Sequence, residues 1–205
     1  SVVAGAGEAR WRGEVLAGGD ALAQAGITPP ALVAKDGLAL VSSNAASVGL
    51  GALAVIEALE TLGGLIASAA LSFEGFRANV APVDPKSVAL RPAPGQSAVA
   101  AELLGLLAGG DLMQPGAAQR LQDPLSFRCV ASVYGSAAAA LKAAIAAVEL
   151  ELNTSDDNPA VVPGVGVVPT ANFDSTHLAQ AFATLNLAIA RIAPTIGMRT
   201  HKLLS

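Results

Sequence analysis

Between residues 175 and 204, apolar side chains recur at Leu178, Phe182, Leu185, Ile189, Ile192 and Ile196, at spacings of 4, 3, 4, 3 and 4. That alternation keeps one stripe of a helix turned toward a partner over many turns, as in long bundles. The spacing predicts a helix over about residues 175–204, kinked where Pro194 lacks a backbone donor. An unpartnered stripe of this kind would face water, so the feature demands further helices.

The rest of the chain supplies them. Over about residues 43–76, Val48, Val55, Leu59, Leu62, Ile66 and Phe73 share a face, with Glu57, Glu60 and Thr61 off it. A second helix is read over about 96–108 through Val99, Leu103 and Leu106, stopping at Gly109-Gly110. A third begins with Asp123 as N-cap and Pro124 as first helical residue. It continues to about residue 152 through Val130, Tyr134, Leu141, Ile145, Val148 and Leu152, and the alanines at 137–140 suit close helix contact. In the connector "ANVAPVDPKSVALRPAPGQ", Pro82, Pro85, Pro92 and Pro94 argue against regular structure. Short β-hairpins are expected around "ARWRGEVL" and "AVVPGVGVVPTANF". The fold class is all-α, a long antiparallel helix bundle with short hairpins. No internal repeat or domain boundary is marked in the sequence.

Hydrophobic residues make up 53% of the 205 residues and charged residues 14%. One small globule cannot hide that much apolar surface, so the chain is expected to be buried in a larger subunit or a homo-oligomer. A membrane span would need about 20 apolar residues with few or no charges. Glu57, Glu60 and several glycines interrupt the most apolar stretch, and aromatic belts are missing, so no membrane is expected. The net charge of −4, with Lys and Arg unclustered, argues against nucleic acid. The lone Cys129 permits no internal disulfide and suits a reducing cytoplasm. No spacing fits a metal site, and the opening "SVVAGAGEARWRGE" carries charges where a signal peptide needs an apolar core.

Polar residues gather in five islands between the helices: "KDGLALVSSNAAS", "RPAPGQ", "QDPLSFRC", "ELELNTSDDNP" and "TANFDSTH". Each alone reads as caps and turns. Together they resemble the aromatic amino-acid ammonia-lyase family, which includes histidine and phenylalanine ammonia-lyases. "KDGLAL" is similar to the family's K-E-G-L-A-L, and "APVDPKSVALRPAPGQ" to A-P-F-D-P-x-x-x-A-L-R-P-H-P-G-Q. "QDPLSFRC" resembles Q-D-P-Y-S-L-R-C, and "ELELNTSDDNP" resembles E-x-E-x-N-S-x-x-D-N-P.

The resemblance implies a helical homotetramer with active sites built from several subunits. It implies an electrophilic 4-methylidene-imidazol-5-one formed from an Ala-Ser-Gly triplet, and a tyrosine base in the N-terminal part. The reaction implied is loss of ammonia from an aromatic α-amino acid (histidine, tyrosine or phenylalanine), giving a trans α,β-unsaturated acid. This chain holds no Ala-Ser-Gly. It is therefore expected to be the central bundle portion, residues 1–205, of a longer subunit whose cofactor-loop and C-terminal parts lie outside it. Its catalytic residues are then not in this chain, and the chain alone should be inactive.

Carried over by position, Arg128 is the arginine that grips the substrate carboxylate, a role its parallel N–H donors and permanent charge suit. Gln122 is the amide beside the site, and Phe173 matches the aromatic of G-N-F. Two positions depart from the family. Leu125 stands where a tyrosine is usual and can supply no hydrogen bond. Ser42 stands where K-E-G-L-A-L-x-N places an asparagine, while Asn44 lies two residues further and about 200° around a helix. Asp174 or Ser175 reads as the cap of the last helix, His177 as a surface or satisfied core residue, and Cys129 as a small buried one. Asn153, Asp156, Asp157 and Asn158 read as scaffold. The alternative is a diverged or inactive homologue, a self-associating helical scaffold.

Overall fold

The computed structural model describes residues 1–205, and its elements follow the periodicities closely. Contacts within the chain group into two units, Ser1–Ser43 and Asn44–Ser205, a division that no composition shift announces.

In the first unit, strands β1 (Glu8–Trp11) and β2 (Glu14–Ala17) pair antiparallel, with Glu8 opposite Ala17 and Trp11 opposite Glu14. The two-residue turn takes positive φ at both Arg12 (49°) and Gly13 (93°), the twist that a tight hairpin favours. Helices α1 (Gly18–Gln24) and α2 (Asp36–Ser42) complete the unit. Neither is long enough to carry a readable period.

The second unit is the bundle. Its long helices are α3 (Ala45–Phe76), α7 (Val130–Leu152) and α8 (Thr176–Leu204), and α5 (Gln96–Leu107) is shorter. Helix α7 is central and packs against α8, α3 and α5. Its alanines explain how: Ala137, Ala140, Ala144 and Ala147 are all buried, and side chains this small let neighbouring helices approach closely. Val48, Val55, Leu62, Ile66 and Phe73 of α3 are buried as their period predicts. Leu59 is not: it is 57% exposed, and Ala58 packs against the core instead. In α5 the buried residue at the helix end is Leu107, whereas Leu106 faces out. A second hairpin, β3 (Ala160–Val162) with β4 (Gly166–Val168), lies between α7 and α8.

The proline-rich connector does form regular structure. Pro82 sits in a 3₁₀ turn (Ala81–Val83), and α4 (Pro85–Ala89) starts at Pro85, with the Asp84 carboxylate accepting from the Lys86 N–H at 2.8 Å. A proline at the first helical position loses nothing, because that N–H has no intrahelical partner. The third predicted helix is in fact two. One turn, α6 (Leu125–Arg128), ends at Cys129 (φ −94°, ψ 6°), and α7 starts at Val130. Asp123 does not cap it, and Pro124 precedes the first turn in extended backbone. Helix α8 runs unbroken through Pro194.

By length and apolar content alone, α3, α7 and α8 could each cross a membrane. Glu57 and Glu60 are therefore too few to exclude a span on composition.

Candidate functional site

The polar islands of the bundle meet at two places. The first is where α3 begins. The Asn44 backbone N–H donates to Asp156 Oδ2, and its side-chain Nδ2 donates to the Phe173 carbonyl at 3.3 Å. The loop after α7 is tied to the segment before α8 in the same way. Thr170 N–H donates to Asn158 Oδ1 at 2.9 Å, Thr170 Oγ1 to the Asp157 carbonyl at 2.7 Å, and Asn172 Nδ2 to the Ser155 carbonyl at 3.2 Å. Asn44 and Phe173, 129 positions apart, are thus direct partners, and the Phe173 ring remains 48% exposed. The "NTSDDN" residues hold three chain segments together. Asn153 donates from Nδ2 to the Glu149 carbonyl and closes the end of α7.

The start of α8 has a divided cap. Ser175 occupies the cap position without a side-chain bond, while Asp174 Oδ1 accepts from both the N–H and the hydroxyl of Thr176. The Thr176 hydroxyl, and then its N–H, hold the Asp174 carboxyl below its ordinary value against a small opposing effect of desolvation. His177, in the first turn, is exposed.

The second place is α6. Its Phe127 is fully buried, stacked on Phe76 (centroids 4.2 Å apart) and tilted against Phe73 at 5.7 Å. Just before it, Asp123 is 4% exposed and accepts the Asn79 N–H on Oδ2, while Asn79 Nδ2 donates to the Leu121 carbonyl at 2.9 Å. The turn after α3 thereby captures the carboxylate that local sequence assigned to capping, which is why Asp123 has no role at its own helix start. Arg128 Nη1 lies 3.4 Å from Gln122 Oε1, at the long edge of hydrogen bonding. Arg128 Nε is buried without an acceptor. A guanidinium with so little of its fork engaged retains donors for a carboxylate. Leu125, on the same turn, is 63% exposed. Cys129 is half-buried at the break between α6 and α7.

Of the six candidate site residues, the structure thus joins Gln122 with Arg128 and Asn44 with Phe173, and sets Leu125 on the turn that carries Arg128. Ser42 belongs to the first unit, where its hydroxyl donates to the Leu38 carbonyl of its own helix at 2.8 Å. No group of three or more His, Cys, Asp or Glu side chains is gathered where a metal ion could be held.

One residue with no place in the sequence-based expectations matters here. Arg199 is 2% exposed and donates to the Ser126 carbonyl at 3.2 Å and the Tyr134 hydroxyl at 2.9 Å. The signal was present: Arg199 continues the seam seven residues after Ile192.

The family model for aromatic amino acid lyases matches residues 1–205, the whole chain. The chain belongs to this family. Histidine ammonia-lyase of Streptococcus sanguinis (strain SK36) is 33% identical over 201 residues, covering 98% of this chain and 39% of that protein. Among solved structures, the ergothioneine-degrading ergothionase of Treponema denticola superposes with a TM-score of 0.85 at 31% identity, over 97% of this chain and 40% of that one. Histidine ammonia-lyase of Trypanosoma cruzi gives 0.84 at 29% identity, over 97% of this chain and 37% of that one. The chain spans about two fifths of the length of the relatives it matches. The all-α expectation holds: the family's helical fold is present, with two small hairpins.

Proposed function

We propose that this chain is the central bundle of a longer ammonia-lyase that removes ammonia from an aromatic α-amino acid, such as histidine, tyrosine or phenylalanine. The observation that carries the reading is Arg128, half-buried, with Nε lacking an acceptor and Nη1 only loosely met by Gln122. Its free donors would hold the substrate carboxylate in a planar, paired geometry. Gln122 Oε1 would fix the plane of that guanidinium. The exposed Phe173 ring, whose backbone Asn44 anchors, would offer an apolar wall to the substrate ring.

The methylidene-imidazolone implied for the family supplies, when present, the electrophile that makes the amino group a leaving group. The residues that form it are not in this chain, and this chain's part is therefore binding and orientation. We further propose a homo-oligomer, a tetramer by analogy with the family. Leu53 and Leu71 on α3 and Leu187 on α8 are 63%, 75% and 72% exposed, a burden that assembly would relieve. Sedimentation of a stable monomer at micromolar concentration would contradict the assembly.

The decisive assay is a full-length protein containing this chain, incubated with histidine, tyrosine or phenylalanine and followed by the ultraviolet absorbance of the unsaturated acid. Absorbance with one of them is expected. None from any, with the Ala-Ser-Gly triplet intact, defeats the reading. A second reading, a diverged homologue that no longer turns over, has Leu125 in its favour: an exposed side chain with no hydroxyl on the turn that bears Arg128.

A further inference from the structure

The buried positions of α8 are Leu178, Leu185, Ile192 and Arg199, each seven residues beyond the last. Three are apolar, and the fourth is a guanidinium that keeps its charge at any working pH. Such a group is unfavourable in a core unless its donors find acceptors, so its acceptors identify its role. They are the Ser126 carbonyl on α6 and the Tyr134 hydroxyl on α7. Neither is an acid, so no ion pair between them accounts for the arginine. The guanidinium carbon also lies 5.8 Å from the Tyr134 ring centroid.

The Ser126 carbonyl needs a donor from elsewhere. A helix leaves its last four carbonyls without intrahelical partners, and α6 has four residues in all. The Cys129 N–H answers the Leu125 carbonyl at 2.9 Å. The break at Cys129 follows, and Arg199 answers the Ser126 carbonyl. The Ser126 hydroxyl is itself buried without a partner, so this residue is fastened to α8 through its backbone. Arg128 is two residues on.

We propose that Arg199 is a positioning residue for carboxylate recognition. It clamps the single turn of α6 to α7 and α8, so that the Arg128 guanidinium is presented to the substrate at a fixed angle. The proposal rests on the lyase reading above for the identity of the ligand.

The test compares Arg199→Met, Arg199→Lys and Tyr134→Phe in a full-length protein containing this chain. In Arg199→Met, amides of residues 125–129 should exchange hydrogen at least ~10-fold faster, as loss of a charge-assisted bond implies, with the interior of α7 unchanged. KM for the amino acid should rise by ~10²-fold, the scale of a small misplacement, with kcat changing far less. Inhibition by the matching arylethylamine, which lacks the carboxylate, should be unaffected. Arg199→Lys should recover part of the loss, since an ammonium can reach one acceptor but lacks the fork for both. Tyr134→Phe should move the same readouts less, and it serves if Arg199→Met does not fold. Unchanged exchange at 125–129 overturns the proposal, and so does equal weakening of both ligands, the mark of a purely structural arginine. A wild type that neither binds nor converts any aromatic amino acid sinks the lyase reading, and the carboxylate role with it. The exchange measurement separates that failure from a failure of the clamp.

Discussion

Gly95 and Gly135 bring the start of α5 against the middle of α7 so closely that a Cβ on Gly95 would lie 2.0 Å from the Gly135 carbonyl oxygen. In return, a Cβ on Gly135 would lie 2.6 Å from Gln96 Cα. Both obstacles are backbone, which cannot swing aside as a side chain can. This contact gives "RPAPGQ" a structural purpose: its Gly95 is the residue that lets two helices touch.

Gly135→Ala sets two effects against each other. Alanine is the better helix former by about 1 kcal/mol, but overpacking against fixed backbone costs about 1–3 kcal/mol, sometimes more. The clash should win, and the midpoint of urea unfolding should fall. Gly95→Ala should be at least as harmful, because Gly95 also holds φ at +77°. A midpoint unchanged or raised in Gly135→Ala would show that the helices separate without penalty.

Asp123→Ala removes the acceptor of the Asn79 N–H, one of the two bonds by which Asn79 ties the turn after α3 to the approach to α6. A bond to a charged, buried acceptor contributes about 1.5–3 kcal/mol, and the loss should appear in thermal or urea unfolding. Asp123→Asn retains one acceptor and should lose less. If Asp123 capped α6 instead, helix fraying without faster exchange at Asn79 would be seen.

Acid should loosen the start of α8. The Asp174 carboxyl is held below its ordinary value by the Thr176 hydroxyl and N–H, so its contribution is present above the unfolded-state value and disappears as pH falls through the folded one. The Thr176 amide resonance should titrate with a midpoint below the usual carboxylate range. In Asp174→Asn that titration should vanish while the helix start persists at neutral pH, since an amide oxygen still accepts. A midpoint at the ordinary value would remove the cap from the account.

Leu125→Tyr places a hydroxyl on the exposed side of the turn that carries Arg128. If the missing hydroxyl limits turnover, activity of the full-length protein should rise, by up to ~10²-fold for a positioned donor. No gain, in a protein with measurable activity, would mean that Leu125 belongs to a site rebuilt around other groups.

Much of the bundle was legible in the chain, for a physical reason. Long helices bury one stripe, and a stripe repeated over many turns leaves a period that no short element can imitate, as in α3, α7 and α8. Short elements left no such trace. Helices α1, α2 and α4 hold five to seven residues each, and Pro85, read as a breaker, proved to be a helix start. Through the resemblance, the polar islands singled out Arg128, Gln122 and Phe173 one by one, and the bond between Arg128 and Gln122 came from the structure. Local pattern could not say that Asn44 would be the residue bonded to Phe173.

What the sequence by itself determined was the stripe of each long helix, and through the collinear islands the family. Those signals are local or linear, and survive without coordinates. Tertiary structure alone decided the fate of each polar group that had more than one partner to choose from. Asp123 could cap its own helix or accept from Asn79, and the turn after α3 brought the Asn79 N–H to it. Arg199 stood in an apolar register with nothing nearby in sequence to explain it. Its acceptors, Ser126 and Tyr134, lie 73 and 65 residues away, and only the packing of α6, α7 and α8 brings them to its guanidinium.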